Sequence, residues 1–591
     1  MSKRTYALDF ETYYDKKVSI TELGPYHYLH HPMTDIYMVA VVELVPPEET
    51  EPPFMYCGEP DGMPWELLRG ARVVAHNASF DEAVFKRLVE LGKVPDGLGV
   101  EWCCTADLCA FLGTARSLKE AARELLGEEP DKTVREEMCG VTWEEAKRRD
   151  WGRRLREYCL NDAALCGRLW LQYSDRWPEE ERRISAHTRR MASEGIHIDL
   201  AALQRARESV AEVLLTARDL IPWADSAPIG SPKAIATQCG LAGIPAPGSI
   251  AKDNPETIRW MQTYGAAHPW IQALYDYRSA NTMLEKLNTL ADRVRPDGEA
   301  EVNRLLYCGA GTGRFSGSGG FNMQNMYRGE KHGVDMRKIF VPHPGNVFII
   351  SDLSQIEARV VLYLAADEAQ LDLLRDGTSI YEVHARATMG YTGTEPLKVA
   401  DPDMYRLAKA RVLGLGYGCG AAKFMLLAKA MAGVDLTLTE AKHQVSDFRA
   451  KNAKLVALWN NLESRLRMHN GRDCTFRLYS GRYLHYRRVH PFAGEWRATV
   501  QGKTTPYYGG KLCENITQAT ARDIFCHMLL ALEDAGYTCR FHVHDEVVLE
   551  VPEGDAERAA RHVNTIMSTA PDWLPGCPLA AETFISTHYC K

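Results

Sequence analysis

Residues 347–359 read VFIISDLSQIEAR, and the reading of that stretch decides the fold. A short apolar run of the kind that packs on a pleated surface delivers the chain to Asp352. After Leu353 the text turns polar and then takes a helical pattern. An acid at a strand end beside a helix start is most often only an N-cap, and alone Asp352 carries no more than that. Far along the chain, residues 541–550 read FHVHDEVVLE and set His544, Asp545 and Glu546 between two apolar runs, as a hairpin would. Polar residues between strands are ordinarily a solvated turn. Brought together on one sheet, however, Asp352 and Asp545 make a two-carboxylate site for divalent ions.

Between these stretches lies MYRLAKARVLGLGYGCG, residues 404–420. Read as a helix, it stacks Lys409, Leu413 and Tyr417 at i, i+4 and i+8 on one face, with Arg406 a turn from Lys409. The bland alternative is a basic helix closed by a glycine cap. The functional alternative gives Lys409 a triphosphate to bind and makes Leu413 and Tyr417 an apolar shelf for a base. Phosphoryl transfer asks for metals, cationic clamps and in-line positioning more than for a covalent helper.

A second acidic set opens the chain. In MSKRTYALDFET, Asp9 and Glu11 sit two apart in a strand pattern, so both carboxylates project from one face. Their neighbours Tyr6, Ala7, Leu8 and Phe10 are apolar, which places the pair on a buried strand. Like charges held together raise each other's pKa unless a cation lies between them, and a divalent ion with oxygen ligands answers that need. HNASFD places Asn77 and Asp81 four apart where a strand gives way to a helix. REYCLND stacks Tyr158 over Asp162 at i and i+4. Each piece alone has a plain reading as a solvated face.

At 591 residues the chain is too long for one core. Its 25% charged and 45% hydrophobic residues are those of an ordinary globular enzyme. The formal net charge of -8 supplies no global basic field, so a nucleic-acid partner would rest on local cationic surface. Sixteen cysteines without a CxxC pair argue against a zinc ribbon and read as buried reduced thiols. No targeting segment and no run near the ~18 apolar residues of a membrane span is found, so a cytoplasmic protein without a membrane partner is expected. Strand candidates TYALDFE, IYMVAVVEL and ARVVAHN alternate with helices up to about residue 175, and a boundary falls near Trp177 and Pro178. A longer helical pattern then runs through ISAHTRRMASEGIHIDL. Loops around a short helix follow at 225–256, then helix again in LYDYRSANTMLEKLNTLADRV. The strands VFIISDL and FHVHDEVVLEV flank a helical middle from 353 to about 470.

In this order, the three N-terminal pieces resemble the motifs of the DnaQ-like 3′→5′ exonucleases. DLSQIEAR is similar to motif A of the family A DNA polymerases, the stretch from Lys409 to Gly418 to motif B, and VHDE to motif C. GTGRFSGSGGFNMQN, CENITQATARDI and MASEGIHID resemble further segments of that family. The whole resembles the large-fragment (Klenow) type of bacterial DNA polymerase I, in a divergent, phage-like branch. The implied fold class is α/β (α+β): a DnaQ/RNase H-like exonuclease domain at 1–177 and a right-hand polymerase domain at 178–591. Within the latter, the resemblance implies a thumb at about 178–300 and a palm with an antiparallel sheet at about 301–364 and 474–591. Helical fingers would span about 365–473.

The implied function is template-directed DNA synthesis from a primer 3′-OH with dNTPs, releasing pyrophosphate, with 3′→5′ proofreading, in replication or repair. By the same resemblance, Asp352, the carbonyl of Leu353 and Asp545 would hold two Mg²⁺ ions (Mn²⁺ as a substitute), with Glu546 accessory. Lys409 would bind the nucleotide phosphates, with Arg406 as a further phosphate contact. Glu357 would close the pocket against a 2′-OH, and Gln355, Leu413 and Tyr417 would border the nucleotide. Arg314, Asn515 and Gln518 would contact the primer–template minor groove, and His544 the primer end. Asp9, Glu11, Asp81 and Asp162 would hold a second pair of ions, with Tyr158 orienting water and Asn77 supporting the strand. Expected partners are primer–template DNA, dNTPs and single-stranded 3′ ends, for a monomer in a bacterial or phage-infected cytoplasm.

The pattern departs from the family in places. Tyr405 stands where an Arg usually precedes the motif B lysine, Leu413 where an aromatic is common, and Glu514 where the familiar Asn is. Those departures keep open a nuclease whose C-terminal part binds DNA without polymerising it. A non-catalytic scaffold would have no need of two complete acidic sets, and Glu357 argues against an RNA-synthesising relative.

Overall fold

The first strand pattern becomes β1 (Thr5–Thr12), the middle of a five-stranded sheet, in the computed structural model, which describes residues 3–45, 52–131, 133–251 and 254–590. The sheet runs in the order β3 (Met55–Gly58), β2 (Ile36–Glu43), β1, β4 (Arg72–Ala75), β5 (Glu101–Cys104). The first three strands are antiparallel neighbours, and β1, β4 and β5 are parallel. Helices α1 (Ala78–Glu90) and α2 (Gly152–Tyr173) pack on it, which is why Tyr6, Ala7, Leu8 and Phe10 are all buried. Close approach of α2 depends on Gly167, where a Cβ would stand 2.5 Å from Leu44 Cδ2.

Helix α3 (Glu179–Glu194) starts after Pro178 with three glutamates in its first turn, which suits the helix dipole. The expected boundary residue Trp177 is not in an exposed linker: it is 1% exposed, and its indole donates to the Tyr307 hydroxyl at 3.2 Å. One apolar core runs from Val74 and Trp170 through Trp177 to Phe348. The helical reading of MASEGIHID fails at Gly195, whose φ of +83° ends α3. Ile196–His197 is instead a short strand, β6, paired with β7 (Glu299–Ala300). Helices α4 (Leu200–Asp219) and α5 (Pro269–Ala291) lie between them in sequence and pack on each other. The Pro/Gly-rich stretch carries a helix at Pro232–Leu241, and its Lys252 and Asp253 lie outside the described residues.

The hairpin β8 (Leu305–Leu306) and β9 (Ser316–Gly317) leads to β10 (Asn346–Leu353), followed by α6 (Ile356–Leu364). The chain then stays helical through α7 (Pro402–Leu415) and α8 (Ala453–Arg467). An antiparallel sheet of β11 (Cys474–Arg477), β12 (Tyr483–Phe492), β13 (Glu495–Val500) and β14 (Lys503–Tyr507) comes next. The long α9 (Gly509–Asp534) precedes β15 (Thr538–Val543), β16 (Glu546–Pro552), α10 (Ala556–Ser568) and β17 (Ala581–Ser586). Strands β15, β16, β10 and β17, in that order, form one antiparallel sheet, with α9 and α10 packed against it. Among the described residues, no helix is long and apolar enough to cross a membrane.

Candidate active sites

Strand register assembles the first acidic set. Asp352 on β10 stands opposite Glu546 on β16, and the Leu353 amide donates to the Asp545 carbonyl at 3.1 Å. Opposite residues of an antiparallel pair share a face. His544 and Asp545 form the two-residue turn from β15 to β16, with His544 at φ 56°, the positive value that such turns require. Glu546 is 4% exposed and accepts a hydrogen bond from Tyr589 at 2.7 Å, so its carboxylate is anchored. Asp352 and Asp545 are only half-buried. On the other side, β17 sets Glu582 opposite Asp352. Neither Glu582 nor Tyr589 was legible as a site residue, because each lies in a C-terminal stretch without a motif.

Gln355, at φ 51°, turns the chain from β10 into α6, and Glu357 follows in the first turn. Glu357 forms an ion pair with Arg314 and accepts from the Tyr417 hydroxyl at 3.4 Å. Glu357 and Tyr417, expected at the nucleotide, and Arg314, expected at the minor groove, thus form one cluster. Arg314 owes its seat to Gly313 at φ +88°, where a Cβ would lie 2.4 Å from Arg482 Nη1. With that space open, Arg482 donates to the Thr312 carbonyl at 2.9 Å. Burial, and then the charge of Glu357, pushes the Tyr417 phenol up.

Helix α7 ends at Leu415, so the helical reading of motif B is corrected at its end: Tyr417 sits in the turn beyond Gly416. What places it is α9, because a Cβ on Gly510 would stand 2.1 Å from the Tyr417 carbonyl oxygen. Lys409 and the 39% exposed Leu413 keep their one-turn spacing on α7. Arg406 pairs with Asp403, and Tyr405 packs edge-on against Tyr381 with centroids 5.5 Å apart. The departure at Tyr405 is therefore a packing contact within the helical body. On α9, Asn515 donates to the Tyr486 hydroxyl at 3.0 Å and Gln518 to Glu514 at 3.3 Å. Beneath lies a buried ionic net: Arg522 holds Glu181 of α3 at 2.5 Å, and Arg482 holds Asp523 at 2.8 Å. Breaking a buried pair costs several kcal/mol, on the order of 3–5, so this net fixes α9 relative to α3.

The second set gathers in the N-terminal sheet. One ligand atom each of Asp9, Glu11 and Cys159 lies within 4.8 Å of the others. Cys159 was missed, since a lone cysteine beside Tyr158 gives no pattern; its thiol donates to the Asp9 carbonyl at 3.5 Å. Asp81, 2% exposed, accepts from the Phe10 amide at 3.2 Å. Burial, and then the charge of Asp9, holds its carboxyl well above the usual carboxylate range. The Tyr158 phenol is raised by burial and then by Asp162, Glu11 and Asp9. Tyr158 thus neighbours Asp9, Glu11 and Asp162, and Asp81 neighbours Asp9. Asn77 caps α1 in the left-handed region at φ 71°, with its side chain exposed along a cleft of about 650 Å³ that Lys86, Arg189 and Arg304 also line.

Carboxylate and carbonyl oxygens suit hard divalent ions, and acids this close call for a cation between them. Both sets carry such oxygens, and in the N-terminal one Asp9 and Glu11 each offer an oxygen within 4.8 Å of the other. Residues 229–591 match the model of DNA polymerase family A. The chain is 25% identical to the "DNA polymerase" of Bacillus phage SP02, with the whole of each chain covered. It is 27% identical over 433 residues to "DNA polymerase I, thermostable" of Thermus thermophilus, covering 70% of this chain and 47% of that one. It thus spans about half the length of that relative. In fold it is similar to the POL domain of Pol1 from M. smegmatis in complex with DNA primer-template and dNTP, with a TM-score of 0.66, 19% identity, and 94% and 93% of the two chains covered. The family match takes in Asp352, Glu357, Lys409, Tyr417 and Asp545, and by it the chain belongs to DNA polymerase family A.

Proposed function

We propose that this chain extends a primer 3′-OH on a DNA template with dNTPs and removes mispaired 3′ ends at a second site. The observation that carries the first activity is the β10–β16 register, which sets Asp352 beside the Asp545 turn, where Asp545 shares a small cavity with Arg314 of the Glu357–Arg314–Tyr417 cluster. Asp352, Asp545 and the Leu353 carbonyl would hold Mg²⁺, or Mn²⁺ in its place. Such ions, when bound, lower the pKa of the attacking hydroxyl and stabilise charge on the leaving oxygen. Lys409 holds the triphosphate and neutralises the departing pyrophosphate. Tyr417 and Leu413 flank the base, and the Arg314–Glu357 pair walls the sugar side against a 2′-OH. Arg314 and Gln518 read minor-groove acceptors that correct pairs present alike, while His544 steadies the primer end.

Residues 1–177 are the proposed exonuclease domain and 178–591 the polymerase, divided into thumb, palm and fingers as expected from sequence. Asp9, Glu11, Asp81 and Asp162 would hold the second pair of ions, with Tyr158 orienting water. Proposed partners are primer–template DNA, dNTPs and frayed single-stranded ends bound by stacking and shape, for a monomer in a bacterial or phage-infected cytoplasm. The test is a 5′-labelled primer on a longer template with Mg²⁺. Lengthening with dNTPs and shortening without them support both activities. Trimming alone in both conditions would select the reading of a DNA-binding nuclease, and no change in either would refute both.

A further inference from the structure

His197, Glu299 and His343 form a cluster that neither acidic set uses. His197 and Glu299 are directly opposite each other on β6 and β7, and His343 lies just before β10. Glu299 Oε1 stands 3.1 Å from His197 Nδ1 and 2.9 Å from His343 Nε2, and the two imidazoles stack at 4.8 Å. Behind His343, Glu550 takes the other ring nitrogen: His343 Nδ1 is 2.9 Å from Glu550 Oε1. The His343 amide and Asn346 both donate to that oxygen at 2.8 Å, and Arg540 donates to Oε2 at 2.6 Å.

With Nδ1 held by Glu550, the other ring nitrogen of His343, Nε2, is the one that faces Glu299. Glu299 is 7% exposed, and its Oε2 has no hydrogen-bond partner among the described residues. A buried carboxylate oxygen of that kind costs free energy unless something binds it. Two imidazoles and a carboxylate are a zinc-type donor set, and a carboxylate behind the histidine orients its metal-binding nitrogen. Zinc at about 2.0–2.1 Å from each ligand needs donor atoms roughly 3.3 Å apart in a tetrahedron, so Glu299 need move only a few tenths of an ångström from each ring nitrogen, while the two rings, stacked within 21° of parallel, must turn for both nitrogens to face one ion.

We propose that His197 Nδ1, His343 Nε2 and Glu299 bind one Zn²⁺, with Glu550 as the positioning residue for His343. The ion would clamp the β6–β7 pair to the root of β10. Asp352 lies at the far end of that strand, on the order of 20 Å away at about 3.4 Å per residue, so this site is separate from the catalytic acids. The half-exposed rings of His197 and His343 leave the ion a way in.

The test uses the full chain, stripped with a chelator, reloaded with Zn²⁺ and dialysed against excess Mg²⁺ to keep the carboxylate sites occupied. Metal analysis should then find one zinc per wild-type chain. His343→Ala and Glu299→Gln should each lower retained zinc at least about tenfold, and Glu550→Gln should weaken zinc affinity about 10–100-fold. Asp352→Ala and the Asp9→Ala, Glu11→Ala double variant should keep it. Circular dichroism in Mg²⁺ alone checks folding. In place of a variant that fails that check, Co²⁺-substituted wild type should show the d–d absorption of a four- or five-coordinate nitrogen-ligated site. Wild type that retains no zinc, zinc lost only in the catalytic-acid variants, or a Co²⁺ spectrum of an all-oxygen octahedral site would each overturn the proposal; the first result would leave a proton as the charge shared by Glu299 and His343.

Discussion

The Leu353 amide hydrogen-bonds to the Asp545 carbonyl at 3.1 Å, which ties the end of β10 to the turn that opens β16. Residues from widely separated parts of the chain are thereby fixed by backbone rather than by their own charged side chains. Replacing one of those acids should therefore change the chemistry of the site before its geometry, and variants there can be read as function.

Glu357 accepts from both Arg314 and Tyr417. Glu357→Ala should raise incorporation of rNTPs relative to dNTPs, measured as the ratio of single-nucleotide insertion efficiencies. Arg314→Ala should act partly through the same pair, so the double variant should fall short of the sum. A coupling on the order of 0.5–1 kcal/mol is expected, since each side chain is about a third exposed. Strict additivity would mean that the ion pair does not organise the pocket.

Gly510 has no room for a side chain, since a Cβ there would meet the Tyr417 carbonyl at 2.1 Å. Gly510→Ala should lower stability by about 1–3 kcal/mol and depress extension more than trimming, because it displaces Tyr417. A thermal melt and the two activity assays on one preparation check this. Equal loss of both activities would show only general damage.

The Asp9→Ala, Glu11→Ala double variant should lose shortening of single-stranded 3′ ends by at least ~10²-fold while keeping extension. A gel assay without dNTPs reads the loss directly. Trimming that persists in the double variant would remove the N-terminal acids from the mechanism.

His542 is completely buried, between Phe315 and Phe525. Burial, with the nearby His187, His544 and Arg522 charges, lowers its imidazole to about 3. The folded chain therefore keeps it neutral, while the unfolded chain protonates it below the usual ~6.5. Its contribution is complete above that value and is lost as the pH falls from there towards 3, at about 1.4 kcal/mol per pH unit. Between pH 6.5 and 5, wild type should lose more stability than His542→Leu in denaturant melts. Parallel losses would contradict the assignment.

The acids of both candidate sites stand at local landmarks that a sequence shows: a strand ending beside Asp352, a turn at Asp545, and Tyr158 one turn before Asp162. What could not be read depends on packing across distant segments. The turn at Tyr417 is set by Gly510 on another helix, and the strand at Ile196 by Gly195 at φ +83° and the pairing of Ile196 with Ala300. Trp177, expected at a boundary, is instead buried within the apolar core that runs from Val74 to Phe348. The His197–Glu299–His343 cluster has no spacing signature, since its members come together only through the β6–β7 register and the root of β10.

The most direct measurement is primer extension by Asp352→Ala beside wild type, with dNTPs and Mg²⁺, and trimming assayed on the same preparations without dNTPs. Extension should fall by at least ~10²–10³-fold, with trimming unchanged. Extension within a few-fold of wild type would contradict the claim that this carboxylate, set against the Asp545 turn, forms the site of synthesis.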